Sequence, residues 1–488
     1  MHKGGGAASA SDANFRAPRA TCAVELAPLR EQLLRDMQHW RPRAITPKML
    51  GDLRRKKRDD PVRASLMIVN RTVYYQRPVG YPRSPVLTAI IHDLQELADT
   101  FPVEDTEFVL NVDDYPFVPL SGSKATAPLP LFSHYQTRHH GDVLCPGGSF
   151  REGSYDRLML RGRRHYESAF PWASKVAQGF WQGHPYCGRH RFGRCSRYLL
   201  SHLSAQLLER NRSALLNVGM TFYEEKLDQH LKSAACGCKQ GWAYPGDLPR
   251  PATPLTKRPW VRIEHHARYR YLLQLDGHTC SWRFQYLLAT NSPVLKQSSY
   301  FWEFYYGALA PGIHYEPFWT QSSTDVLDVL ANVSHPSSDA RMRRVARAGQ
   351  AFVHRHLNAH ARQCYWRALL ALYTKRLREP PRLGDWPAAQ RANMRGCRGP
   401  DPRLGPNPAS EPHSPTTCSR EGWFRGAKAE AHVDWSATRE AWRRKDDASL
   451  RRFVDGVEAE LDGLAAGGAV FTSTMDKRNA EFDPYAVR

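Results

Sequence analysis

A chain of 488 residues with 41% hydrophobic residues has enough apolar side chains for the cores of two or three domains, which excludes a disordered or fibrous protein. Its apolar runs fall short of the roughly 18 residues a membrane span needs, and the first twenty residues lack the apolar stretch of a secretory signal; stable membrane insertion is not expected, and either the protein is not secreted or its start is missing. The formal net charge of +21 raises the prior for anionic partners, but the arginines are scattered among Ala and Pro; the one dense run, Arg54 to Arg58, adjoins Asp59 and Asp60 and reads as a solvated face, so no nucleic-acid partner is expected.

In chain order, residues 1–20 are rich in Gly, Ala and Ser and read as disordered. Helical spacing follows over 29–40, with Leu33, Leu34 and Met37 on one side. Residues 65–76 read as a β-hairpin. Apolar residues at 86, 87, 90, 91, 94 and 97 predict a helix leading into a strand at Phe108, Val109 and Leu110. A second series starts at Lys175: strand VAQGFW, a turn at Gly183, an Arg-rich loop, a helix over 197–208 and a strand over 215–218. Residues 269–275 form a short, mostly apolar and aromatic run, as expected of a strand buried in an α/β sheet, and Asp276-Gly277 ends it. Cys280 to Arg283 then opens a helix running to Leu288, a strand is read over 293–296, and Glu303 sits in the aromatic run 302–306. Residues 380–426 are rich in Pro, Gly and Arg and read as a linker, and 435–464 has helical spacing. Strand and helix alternation in two blocks predicts an α/β fold of two doubly wound domains facing one cleft.

Two groups of residues bear on chemistry. Gly277 permits either a positive φ or the close approach of a ligand to the backbone; beside it a hydroxyl (Ser281), free helix N–H groups and a guanidinium (Arg283) would converge as groups that hold a diphosphate do. Asp113 and Asp114 follow a strand whose carboxyl end, in an open α/β sheet, faces the ligand crevice. A carboxylate there can take a proton from an attacking hydroxyl; alternatively, both aspartates cap a turn before Pro116. The histidines and ten cysteines show no zinc-finger spacing, so no metal is expected, and Cys187, Cys195, Cys236 and Cys238 are candidates for disulfides of undetermined connectivity. Phosphate-loop, dinucleotide-fingerprint and nucleophile-elbow motifs are missing from the sequence.

The order YLLQLDG, SWRF, VLK, EFYY and HYEPF resembles glycosyltransferase family 90, the group of protein O-glucosyltransferases and capsule-associated xylosyltransferases. DTEFVLNVDDYP and PLFSHYQTRHHGDVLCP upstream, and the helix over 348–373 downstream, extend the resemblance across roughly residues 64–377. It implies a GT-B-like architecture of two Rossmann-like domains and a closing helix. The corresponding division is a disordered segment and helix over 1–60, an acceptor-side domain carrying the base over 61–174, a donor-side domain over 175–340, the closing helix over 341–379, a linker over 380–427 and a helical extension over 428–488. It further implies an inverting, metal-independent transfer of glucose or xylose from a UDP-sugar, with no other cofactor, to a hydroxyl of a protein or glycan. By the same resemblance Asp114 is the base, Gly277, Ser281 and Arg283 hold the diphosphate, and Glu303 receives the ribose hydroxyls. Two positions depart from the family pattern. Asp113 stands where Arg is common. Gln182 replaces the Arg of a Phe-Arg-Gly motif that helps neutralise the diphosphate; Arg189, Arg191 and Arg194 follow within one loop, and Arg191 is taken as the substitute. An inactive relative that binds a glycan or protein partner is the alternative. The resemblance places the protein in the endoplasmic reticulum or Golgi lumen; the sequons at Asn70, Asn211 and Asn332 suit that, whereas the chain carries no C-terminal retention tetrapeptide.

Overall fold

The computed structural model describes residues 21–40, 43–54, 63–76, 85–120, 128–152, 155–184, 195–209, 215–221, 257–385, 390–391 and 436–479. After α1 (Cys22–Leu26), α2 (Arg30–Met37) and a further short helix over Pro47–Arg54, the first sheet begins with the hairpin β1 (Arg63–Val69) and β2 (Thr72–Gln76). Asn70 and Arg71 turn it with φ of 48° and 62°, the pair of positive angles that a two-residue hairpin turn requires. Helix α3 (Pro85–Thr100) leads to β3 (Thr106–Asn111), which is buried throughout. β3 pairs antiparallel with β1, and β4 (Leu131–Ser133) and β5 (Val143–Leu144) add on in parallel. This sheet is therefore mixed, not doubly wound as the alternation predicted: the tight hairpin reverses the chain, a connection only antiparallel strands allow.

The second sheet is wholly parallel. β6 (Val176–Gly183) is followed by α4 (Ser196–Glu209), β7 (Leu216–Met220), β8 (Tyr269–Gln274), the single turn α5 (Phe284–Leu288), β9 (Val294–Gln297) and β10 (Glu316–Phe318). In space the order is β7-β6-β8-β9-β10. Winding thus goes outward from β6 to one side and then from β8 to the other, which makes the gap between them a topological switch point.

Helices α6 (Asp339–His356) and α7 (Ala359–Thr374) close the family of elements around the core; a break at Leu357 and Asn358 splits what the sequence predicted as one helix. β11 (Gln390–Arg391) pairs with the free edge of β2. The C-terminal helices α8 (Ser436–Ala466) and α9 (Thr474–Arg478) follow, and α8 packs on α1, α2 and α7. One apolar cluster runs from α1 and α2 through β1, β3 and β4 to α7, α8 and the aromatic segment around Trp302, so the two sheets share a core. Among the described residues no helix is long and apolar enough to cross a membrane.

Candidate active site

At the switch point the strands β6 and β8 run out into Gly183 and Asp276-Gly277, and two guanidinium groups occupy the crevice above them. Arg197, in the first turn of α4, donates to the carbonyls of His184 (2.9 Å) and Leu275 (3.2 Å). Arg283 donates to the Gln182 carbonyl. Both lie over the face of Trp181, at 5.3 and 5.5 Å from the ring centroid, and this indole is 1% exposed. The glycines make room for them: a Cβ on Gly183 would stand 2.8 Å from Arg283 Nη2, and one on Gly277 would stand 3.0 Å from Arg197 Nη2. Neither glycine is among those with positive φ, so of the two roles open to Gly277 the structure uses close approach, and what approaches is a side chain of the protein itself. Burial pushes the Arg283 guanidinium down to about 10, and the two arginines, after burial, also hold the His184 imidazole below its ordinary value. Two cations confined in one crevice repel, and an anion between them relieves that cost.

Across from this crevice, the loop after β3 separates the roles of the two aspartates. The Asp113 carboxylate accepts the Asp114 N–H at 2.7 Å, the Asn111 side chain accepts the Asp113 N–H at 3.0 Å, and Asn111 Nδ2 donates to the Tyr115 carbonyl. Downstream, buried Asp142 accepts the N–H groups of Phe117 and Val118 and the Ser133 hydroxyl. Asp113 thus holds the turn, while the Asp114 carboxylate accepts no hydrogen bond among the described residues. Asp114 is exposed at its outer side and crowded by protein on the others. That crowding raises its carboxyl above the usual carboxylate range; His278 and Arg197 from the other sheet pull it back down, and Asp113 pushes it up. Asp114 therefore lies within electrostatic reach of His278 and Arg197.

A third group lies deeper. Gln136 and Trp302 pair through their backbones, N–H to carbonyl in both directions (3.1 and 3.0 Å), and the Trp302 indole donates to Gln136 Oε1, which ties the first sheet to the second. Their chain neighbours, Tyr135 and Glu303, lie in electrostatic reach of one another, Tyr135 also of Cys280 and Asp276 and Glu303 also of Lys296. Burial, then Glu303, Asp114, Cys280 and Asp276, push the Tyr135 hydroxyl well above its ordinary value. Glu303 is 2% exposed, accepts from the Tyr306 hydroxyl at 3.4 Å, and is pushed up to about 8 by burial, against hydrogen bonding from Tyr306 and the charge of Lys296. Lys296 lies 4.8 Å from the Tyr306 ring centroid.

The residues singled out from the sequence therefore fall into distinct places. Arg283, Gly277 and Asp114 line the crevice between the sheets. Ser281 is buried beside it, its carbonyl accepting from Gln274 and its hydroxyl without a partner among the described residues. The predicted helix behind Ser281 is one turn of five residues with Arg283 as its N-cap, too short to present a helix N-terminus to an anion, so positive charge there comes from guanidinium groups and not from a helix dipole. Gln182 contributes its carbonyl to Arg283 and keeps its side chain buried. Arg191, with Arg189 and Arg194, lies outside the described residues, as do Cys187, Cys236 and Cys238. Sequence reasoning missed Arg197, Tyr135 and His278. Arg197 was signalled only by its position at the start of the helix after β6; Tyr135 stood inside a matched segment without a role. It also missed the disulfide between Cys22 and Cys364, which are 342 residues apart; Cys195, one of the cysteines the sequence offered for a disulfide, is disulfide-bonded. Cys22, His360 and Cys364 bring three ligating atoms together, but the disulfide consumes both thiolates, and His360 is paired with Glu25 at 2.7 Å.

A mixed α/β fold with two guanidiniums at a parallel-sheet switch point and a carboxylate in electrostatic reach of one of them offers groups able to hold an anion and to take a proton. Residues 26–387 match the family Glycosyl transferase family 90, and the chain belongs to that family. It is similar to O-glucosyltransferase rumi of Drosophila pseudoobscura pseudoobscura, 29% identical over 300 residues that cover 59% of this chain and 64% of the relative. It is also similar to Protein O-glucosyltransferase 1 of Homo sapiens, 26% identical over 348 residues covering 68% and 78%, and to Protein O-glucosyltransferase 2 of Danio rerio, 27% identical over 291 residues covering 58% and 49%. The chain thus spans just under two thirds of the length of the fly protein.

Proposed function

We propose that the protein is an inverting glycosyltransferase that moves a sugar from a UDP-sugar to a hydroxyl, with its two sheets acting as the acceptor and donor halves of a GT-B-type enzyme. The observation that carries this reading is the pair of guanidiniums, Arg197 and Arg283, over one indole, with the Asp114 carboxylate, which accepts no hydrogen bond among the described residues, in electrostatic reach of Arg197. In this reading the donor diphosphate lies on Arg197 and Arg283 with the Ser281 hydroxyl, and the nucleoside reaches toward Glu303 and Tyr135. Asp114 takes the proton of the acceptor hydroxyl as its oxygen forms a bond to the anomeric carbon from the face opposite UDP. The bond from that carbon to the diphosphate oxygen breaks, and UDP leaves with the electron pair, its charge met by the two guanidiniums. Because these groups supply the neutralising charge, the step is proposed to need no metal ion.

The names of the relatives favour glucose over xylose as the sugar and a protein hydroxyl as the acceptor. The disulfides at Cys22–Cys364 and at Cys195 favour an oxidising compartment such as the endoplasmic reticulum or Golgi lumen. One feature favours the inactive alternative, Gln182 in place of an arginine; Arg197, held over the same indole as Arg283, offsets that loss of charge. Purified protein is to be incubated with UDP-glucose, UDP-xylose and other UDP-sugars in EDTA, and UDP release measured for wild type and Asp114→Asn. Release from one donor, insensitive to chelation and reduced about 10²–10⁴-fold by the substitution, is the expected result. UDP binding with no turnover on any donor and acceptor peptide selects the inactive reading, and failure to bind UDP removes both.

A further inference from the structure

The match to the family ends at residue 387, and the described chain beyond it folds back onto the matched part. α8 docks through buried Phe453, Val454, Val457 and Leu461, through the carboxylate of Glu458 on the buried Arg376 guanidinium (2.7 Å for one of its two hydrogen bonds), and through Ser449 Oγ, which accepts the Ala23 N–H. α9 is different. It adds one core side chain, Met475, yet carries a set of charged contacts to loops. Ser473 and Asp476 close a capping box that fixes its start. The Asp476 carboxylate receives Arg35 in bidentate fashion, Nε at 2.9 Å and Nη2 at 3.0 Å, and the same guanidinium donates to the carbonyls of Thr137 (3.2 Å) and His140 (3.3 Å). Arg138 Nη1 donates to the Asn479 carbonyl at 3.2 Å. Arg478 Nη1 donates to the carbonyls of Leu309 (2.6 Å) and Tyr306 (3.4 Å).

These contacts grip two places in the chain. One is the turn 137–140, directly after Tyr135 and Gln136; the other is the turn 306–309, which begins three residues after Glu303. Gln136 and Trp302 are the residues whose backbone pairing joins the sheets, and Tyr306 is the residue whose hydroxyl meets Glu303. A single short segment from outside the family match thus reaches both turns, the first through Arg35 and Arg138 and the second through Arg478.

We propose that α9 is a clasp for the nucleotide pocket and that Arg478, by fixing the 306–309 turn, is a positioning residue for binding the UDP moiety. The assignment rests on the transferase reading only in naming UDP as the ligand. Arg478 touches no ligand in this scheme; it acts through the backbone that orients Tyr306 and Glu303. The positive charge of Arg478 also reaches Lys296 inside the pocket, so the clasp and the pocket are coupled electrostatically as well as by packing.

The test is UDP affinity by isothermal titration calorimetry, with melting temperatures recorded in parallel, on the full chain and on the variants Arg478→Ala, Arg478→Lys, Asp476→Asn and Arg30→Ala. Arg30 serves as the comparison because it links α8 to the body through Glu460 and the Gly456 carbonyl, away from the two gripped turns. The expected result is a Kd raised about ten-fold by Arg478→Ala, partly restored by Arg478→Lys, raised by Asp476→Asn, and unchanged by Arg30→Ala. An Arg478→Ala Kd within two-fold of wild type overturns the proposal, as does an equal weakening by Arg478→Ala and Arg30→Ala that follows their melting temperatures. If Arg478→Ala does not fold, Asp476→Asn decides by the same criterion. Wild-type protein that binds no UDP sinks the transferase reading, a result distinct from wild-type binding that the clasp variants leave intact.

Discussion

Gly183→Ala adds one methyl group and removes no charge, so it asks whether the placement of Arg283 matters apart from its presence. The new Cβ would stand 2.7 Å from Cζ2 of Trp181 and 2.8 Å from Nη2 of Arg283. The indole is enclosed at 1% exposure, so the contact with it strains the strand end, which the Thr221 N–H holds through the Gly183 carbonyl at 3.0 Å, while the contact with Arg283 is relieved by the guanidinium. It must retreat by about 0.6 Å to reach ordinary contact, which takes it off the Gln182 carbonyl and away from the diphosphate position. Losing one charge-assisted hydrogen bond is worth roughly 1.5–3 kcal/mol, or about a 10- to 150-fold rise in the Kd for UDP. Crowding of the strand end should cost a further 1–3 kcal/mol or so of fold stability. Calorimetric titration with UDP, with thermal melts beside it, reads both numbers. Gly51→Ala is the control, because a Cβ there meets nothing within 4 Å; it should leave the Kd unchanged and, in the interior of the helix Pro47–Arg54, stabilise the fold by roughly 0.5–1 kcal/mol. A Gly183→Ala protein that binds UDP within two-fold of wild type would refute the placement of the diphosphate against Arg283.

Three further outcomes are expected. Asp114 is raised by crowding and pulled down first by His278, and the base must be ionised to work; His278→Ala should therefore move the acid limb of the kcat profile to higher pH, and an unmoved limb argues against Asp114 as the base. Glu303 is pushed from 4.5 up to about 8, so it holds its proton more tightly folded than unfolded: its stabilising contribution is complete below pH 4.5 and is lost as pH rises through about 8. Glu303→Gln cannot titrate, and its melting temperature should gain on wild type between about pH 5 and pH 9; a constant difference would contradict the burial argument. The Cys22–Cys364 bridge joins α1 to α7 across 342 residues, so Cys22→Ser should lose about 2–5 kcal/mol in denaturant unfolding, and labelling of native wild type after mild reductant should find these buried sulfurs slow to react.

What local sequence could specify was legible. The hairpin at 65–76, the strand ended by Asp276-Gly277, the helix beginning near Arg197 and the strand before Asp113 all follow from apolar spacing and turn residues within a window of a few positions. The family resemblance then marked Asp114, Gly277 and Arg283, because their motif neighbours lie beside them in the chain. Other features depend on residues distant in sequence, and no local window contains them. That β1 runs antiparallel to β3 was decided by which strand edges met. That Arg197 and Arg283 share one indole depended on α4 and the turn before α5 converging on Trp181. Without the resemblance Asp113 and Asp114 are equivalent to a reader of the sequence; the folded loop gives Asp113 a backbone N–H to hold and puts Asp114 in electrostatic reach of Arg197. The sequence by itself determined an α/β chain with a carboxylate motif and an arginine motif in a set order. The tertiary structure decided that Arg197 and Arg283 share the Trp181 indole and that a C-terminal segment packs against the turns 137–140 and 306–309, because each of these is a contact between elements that approach only when their apolar faces pack into a shared core.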